Sequence, residues 1–187
     1  KQRYELFTIC YRGRSDVVAK QQKDGSFKTI TGGFTYERFL EQVNQVSTYG
    51  IYNLDDAGNV SFILYDMDLF PRIKKPWEEM VPELRTKQLQ VLALIATLRD
   101  FGIESNQILV EFPTIGYHVV LPLAMPLPVQ LVKNFAKLVL DRSGLHNEIP
   151  FYPKDVRDYG DMVRLPLRLN SLTGRRSNFI RDIRNFD

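Results

Sequence analysis

The sequence of 187 residues predicts an α+β fold built on an antiparallel sheet of the split-βαβ kind. Three observations carry the prediction. From about residue 60 onward, stretches with the two-residue period of strands and stretches with the wider spacing of helices follow one another as strand, helix, strand, strand, helix, strand. Turn and stop residues fall where those stretches meet, in "DDAGN", at Gly102, in "PTIG" and at Gly144. A hydrophobic content of 44% supplies enough apolar surface for a real interior.

The elements follow in order. "YELFTICY" reads as a strand, "KDGSFKTITGG" as a polar, glycine-punctuated segment, and "TYERFLEQVNQVSTYG" as a capped helix closed by Gly50. "GIYNL" and "NVSFILYDMDLF" flank the turn residues of "DDAGN" and read as a strand pair. Between about Leu84 and Phe101, Leu89, Leu92, Ala96 and the pair Leu94/Leu98 recur at helical spacing, with Pro82 before and Gly102 after. "ILVEF" and "YHVVLPL", joined by "PTIG", read as a hairpin. "LPVQLVKNFAKLVLDRSG" puts Val132, Phe135, Ala136 and Val139 on one helical face. "EIPFYPKD", a polar turn through Gly160 and the strand-like "MVRLPLRL" complete the series. The chain therefore reads as one domain over 1–187, with an N-terminal lobe over about 1–50, a ferredoxin-like or RNA-recognition-like (RRM-like) palm over about 51–170 and a basic segment over about 171–187.

Composition narrows the chemistry. Cys10 is the only cysteine and there are two histidines, so an internal disulfide and the usual Cys/His zinc site are both excluded, and a metal would be held mostly by oxygen. No apolar run approaches the roughly 20 residues of a membrane span and no signal-like segment opens the chain, so the expected location is cytoplasmic. The chain starts at Lys1 rather than a methionine, as expected of a domain excised from a longer protein. The net charge of +3 is small, but Arg164, Arg168, Arg175, Arg176, Arg181 and Arg184 crowd the C-terminal end.

The chemically pointed stretch is "SFILYDMDLF". Residues two apart on a strand share a face, so Asp66 and Asp68 extend the row begun by Val60, Phe62 and Leu64. Two carboxylates so close repel one another unless a proton or a cation intervenes, and the hard ions Mg²⁺ and Mn²⁺ take such oxygens. The competing reading ends the strand at Met67 and leaves both aspartates as solvated turn residues. The topology favours the first, because a split-βαβ sheet sets the first and third strands side by side and antiparallel. His118, at the start of the third strand, then lies across from Asp66, and Gly116 leaves backbone open to a phosphate. Glu148, at the start of the fourth strand, would reach the same end of the sheet.

With these residues, "YRGRSDVVA", "GIYNL…FILYDMDLF", "VEFPTIGYHVVLPLAMPLP" and "NEIPFYPKDVRDYGDMVRLPL" resemble, in that order, the successive blocks of the archaeo-eukaryotic primase superfamily, the primase-polymerases. The resemblance covers most of the chain. It is nearest to the primase-like domains of bacterial defence systems, among them the CRISPR-associated primase-polymerases. It implies a DNA primase or polymerase that joins nucleoside or deoxynucleoside triphosphates on a single-stranded DNA template by two-metal catalysis with Mn²⁺ or Mg²⁺. Asp66 and Asp68 would be metal ligands, with Glu148 as the third acid and Asp155 as its alternative. Gly116 and His118 would meet the incoming nucleotide. Pro113 and Thr114 stand where relatives carry Ser-Gly, and the zinc element of many primases is absent.

Lys154, Arg164 and Arg168 would lie near the triphosphate or the template backbone, Arg164 foremost, or else be ordinary solvated charges. Arg12, Arg14 and Arg176 would contact nucleic acid, Arg176 interleaved with Phe179 as in tracks that follow a single strand, or else decorate the surface. The implied partners are DNA primer and template, nucleotides and CRISPR spacer-acquisition proteins, with no membrane. Two other classes compete: a non-catalytic single-strand-binding module on an RRM-like sheet, which lacks that family's "GFGFV"-type strand, and a nucleotide cyclase on a similar palm, which leaves the histidine and "VRLPL" blocks unexplained.

Overall fold

The computed structural model describes residues 1–69, 76–146, 148–154, 158–170 and 173–183; Asp155 and Arg184, named above, lie outside them, as does Phe70 at the end of "SFILYDMDLF". The elements are α1 (Gln2–Cys10), β1 (Val17–Gln21), β2 (Phe27–Thr31), α2 (Tyr36–Val43), β3 (Tyr49–Tyr52), β4 (Asn59–Asp66), α3 (Trp77–Asp100), a 3₁₀ turn (Ser105–Gln107), β5 (Leu109–Phe112), β6 (His118–Pro128), α4 (Val129–Arg142), β7 (Phe151–Tyr152), β8 (Met162–Arg164) and β9 (Asn178–Phe179). They form two antiparallel sheets, in the orders β2-β1-β3-β8 and β7-β4-β6-β5-β9. The first four strands of the second sheet are the fourth, first, third and second of the split-βαβ unit, as the element order predicts.

The departures lie in the N-terminal half. "YELFTICY" is helical, not extended, because Tyr4, Phe7 and Tyr11 lie three and four residues apart and form one aromatic face. Phe7 meets Phe34, Phe39 and Tyr11 with centroids 5.2–5.7 Å apart, and Tyr11 reaches Phe62 at 5.8 Å, so tertiary packing overrides strand-like composition. α2, capped by the Thr35 side chain, ends at Val43 rather than Gly50. Gly50 instead sits inside β3, where the missing Cβ makes room for Met162. "GIYNL" and "NVSFILYDMDLF" do not pair with one another: β3 joins β1 and β8, and β4 joins β6 and β7. α3 begins at Trp77, so Pro82 lies inside it, and Leu89 faces solvent while Leu84, Val91, Leu94 and Leu98 are buried.

The core has two layers divided by the second sheet. α3 and α4 cover one face, where Ile63, Tyr65 and Met67 pack with Leu94, Leu98, Val132 and Ala136. The first sheet and α1 cover the other, where Phe62, Leu64 and Val120 pack with Tyr49, Ile51, Val163 and Leu165. From Phe62 the alternation along β4 thus sends even-numbered residues between the sheets and odd-numbered ones under the helices, whereas Val60, beyond a register shift, packs under the helices and does not begin the Asp66–Asp68 row. No helix among the described residues is long and apolar enough to cross a membrane.

Candidate active site

β4 keeps its alternation past its formal end. The Asp66 N–H donates to Pro150 O, Met67 N–H to Tyr117 O and Leu69 N–H to Ile115 O, each at 2.8 Å, so the chain stays strand-like through Asp68. Both aspartates are buried, at 7% and 6% exposure, which excludes the solvated-turn reading. They face the layer between the sheets, next after Phe62 and Leu64. The approach of the β5–β6 turn to this segment requires Gly116, since a Cβ there would lie 2.5 Å from Asp68 Cα and 2.6 Å from Met67 O. The space expected to admit a phosphate at Gly116 is therefore filled by the Asp68 backbone. Asn170 secures the same turn by donating to Pro113 O at 2.9 Å, and the Thr114 and Thr173 hydroxyls share a hydrogen bond of 2.7 Å.

His118 pairs with Asp66 on one side and with Glu111 on the other, so one row crosses β4, β6 and β5 as Asp66, His118, Glu111. Side chains directly opposite in an antiparallel ladder share a face. His118 Nε2 lies 3.9 Å from Asp66 Oδ1 and 3.8 Å from Asp68 Oδ1, while Nδ1 lies 2.8 Å from Glu111 Oε2. Burial opposes the imidazolium, but the charge and hydrogen bond of Glu111, followed by Asp68 and Asp66, outweigh it and raise the pKa of His118. Glu111 is the residue that sequence reasoning missed. It is 1% exposed in an otherwise apolar strand. A signal was available: once "ILVEF" and "YHVVLPL" are read as a hairpin, an acid buried in one arm and a histidine in the other call for a register that joins them.

Asp66, Asp68 and His118 border a partly open hollow of about 150 Å³, lined on its other sides by Leu64, Tyr152, Met162, Val163, Arg164 and Arg168. Arg164 comes from β8 of the first sheet, and Arg168 from the segment after it. Gln42 of α2 holds that segment in place, donating to Leu165 O and Pro166 O at 3.1 and 2.8 Å and accepting the Tyr49 N–H at 2.8 Å. The two sheets thus bring carboxylates and guanidinium groups to one hollow. A whole nucleoside triphosphate needs a site of about 300 Å³ or more, so a hollow of this size suits the phosphate end only.

The remaining predicted residues do not line this hollow. Glu148 is exposed on the turn after α4 and accepts a hydrogen bond of 2.9 Å from Gln90 Nε2, because β7 begins only at Phe151 and strand alternation does not extend back to it. Lys154 is exposed, with its ammonium 4.8 Å from the centroid of the Tyr152 ring. Arg14 is engaged by Asp16, at 2.8 and 2.7 Å, and by Asp56. Arg176 donates to Val43 O and Leu167 O at 2.8 and 3.3 Å, so its guanidinium serves backbone carbonyls. Arg12 is exposed on the loop after α1.

Asp66, Asp68 and His118 offer ligand atoms that all lie within 4.8 Å of one another. Two buried carboxylate oxygens and an imidazole nitrogen form a donor set that fits a divalent cation, and a cation there would neutralise the repulsion between the acids. By sequence, no family profile and no curated protein matches the chain. By structure it is similar to the AEP (archaeo-eukaryotic primase) domain of the cyanophage S-2L primase-polymerase, with a TM-score of 0.50 and 11% identity over 95% of this chain and 86% of that one. It is also similar to the polymerase domain of Mycobacterium tuberculosis ligase D, solved in complex with DNA, with a TM-score of 0.55 and 12% identity over 91% of this chain and 73% of that one. The chain has the fold of the archaeo-eukaryotic primase superfamily.

Proposed function

On a chain with the primase-polymerase fold, we propose a metal-dependent nucleotidyltransferase that extends a primer on a single-stranded DNA template. The observation that carries this reading is the buried Asp66–Asp68–His118 cluster facing Arg164 and Arg168 across one small hollow. A 3′-hydroxyl attacks the α-phosphate of a nucleoside triphosphate, the bond to the bridging oxygen breaks and pyrophosphate leaves. Asp66 and Asp68 would hold Mn²⁺ or Mg²⁺, with Asp155 as the third acid in place of Glu148, which is engaged by Gln90 on the turn after α4. When bound, such ions lower the pKa of the attacking hydroxyl and neutralise the leaving group.

The protein's own groups bind and orient. Arg164 and Arg168 present planar guanidinium groups suited to bidentate phosphate contact. His118 directs Nε2 at the same end of the hollow, where it would meet a phosphate oxygen, and Leu64, Tyr152 and Val163 form its apolar lining. Gly116 contributes by letting the β5–β6 turn seat against Asp68. Nothing in either structural likeness points to spacer-acquisition proteins as partners. The single-strand-binding alternative uses the open face of an RRM-like sheet to stack bases, and that face is covered here by the first sheet.

The test is extension of a labelled primer on single-stranded DNA with deoxynucleotides and Mn²⁺ or Mg²⁺, wild type beside Asp66→Asn/Asp68→Asn. Template-directed extension confined to the wild type supports the proposal. Equal extension by both proteins, or binding to single strands with no extension, contradicts it.

A further inference from the structure

We propose that Glu111 is a positioning residue for His118: its carboxylate accepts the Nδ1 proton and so fixes the imidazole with Nε2 turned on Asp66 and Asp68. Glu111 is 1% exposed, its Oε2 lies 2.8 Å from Nδ1, and its Oε1 has no hydrogen-bond partner among the described residues. A buried carboxylate is costly unless it is paired, and the hydrogen-bond partner that Glu111 has is His118. An ionised carboxylate can only accept, so the ring nitrogen facing it must carry hydrogen, and the other nitrogen is the one presented to the cavity. The register enforces the same orientation, since Glu111 is directly opposite His118 and Asp66 lies on the other flank. Carboxylates behind functional histidines set ring tautomer and orientation in this way. The inference rests on the nucleotidyl-transfer reading only for what Nε2 meets.

Two measurements test it on the full chain. The first is the histidine ring N–H spectrum by ¹H–¹⁵N NMR, with His146→Gln removing the other imidazole. A downfield Nδ1–H resonance of His118 is expected in the wild type, shifted upfield in Glu111→Gln, which keeps the shape and an acceptor oxygen but loses the charge. The second is the nucleotide KM and kcat of Glu111→Gln, His118→Ala and the double variant. Glu111→Gln should raise KM about tenfold, the difference between a charged and a neutral acceptor, and the double variant should be no worse than His118→Ala.

Wild-type Nδ1 without a proton, or losses that multiply in the double variant, would overturn the proposal. The wild-type spectrum decides the hydrogen bond even where a variant fails to fold. A wild type that incorporates no nucleotide, yet shows the Nδ1–H signal and its shift in Glu111→Gln, would sink the nucleotidyl-transfer reading and leave the positioning role standing.

Discussion

At one end of the layer between the sheets, Phe62, Leu64 and Val120 meet Tyr49, Ile51 and Val163; at the other, two residues further along the same strand, Asp66 and Asp68 meet His118 and two arginines. Burial does not change along this row: Leu64 is 2% exposed and Asp66 7%. Only the chemistry does. The apolar end stabilises the fold by removing hydrocarbon from water, at about 25 cal/mol per Å². The acidic end works against stability, since each buried charge costs several kcal/mol before its partners offset it. Buried charge of this kind, set into a layer that is otherwise apolar, is what proteins keep at sites where stability is traded for function.

The sharpest way to break this contrast is to neutralise one end at a time. Asp66→Asn or Asp68→Asn should cut nucleotide incorporation about a thousandfold, from several kcal/mol of charge stabilisation at tenfold per 1.36 kcal/mol. In the metal-free protein the same substitutions should act through pH, flattening the pH dependence of the melting temperature, because both carboxylates help to raise the pKa of His118. Phe62→Ala, at 0% exposure, should do the opposite and lower stability by about 3–5 kcal/mol in a denaturant titration, with activity per folded molecule retained.

Smaller effects sharpen the boundary between the two ends. Arg164→Ala should raise the nucleotide KM about 10- to 100-fold, the range for a lost hydrogen bond to a charged group. His118 sets a pH dependence for the metal-free protein. Burial lowers its pKa, but Glu111, Asp68 and Asp66 raise it more, so the net shift is upward. Its stabilising contribution is therefore complete below about pH 6.5 and is lost as pH rises through the higher folded-state value. Melting temperatures should fall across that window in the wild type and stay flatter in His118→Asn. The smallest effect is expected far from the hollow: Arg12→Ala should reduce the salt slope of single-strand binding by about one unit, whereas Arg14→Ala, already paired with Asp16 and Asp56, should not.

The acidic end was legible where strand periodicity and sheet topology act alone. Two-residue spacing placed Asp66 and Asp68 on one face, and the split-βαβ order placed His118 opposite, because both follow from backbone geometry. Glu148 was misplaced because the expected strand starts late and a turn redirects the chain. The apolar end was harder to read, since it depends on the first sheet, which takes strands from both ends of the chain, β1 to β3 and β8. No local signal links "GIYNL" to "MVR", and the helix over "YELFTIC" is set by aromatic contacts with Phe34, Phe39 and Phe62 rather than by its own propensity.

The most direct measurement of the contrast is Mn²⁺ binding, followed by electron paramagnetic resonance of the free ion during titration of the full chain. The wild type should take up Mn²⁺, with binding lost in Asp66→Asn/Asp68→Asn and kept in Val120→Ala, a small change at the apolar end, away from the hollow. Equal uptake by the wild type and the double aspartate variant would contradict the assignment of the acidic end as the metal-dependent site.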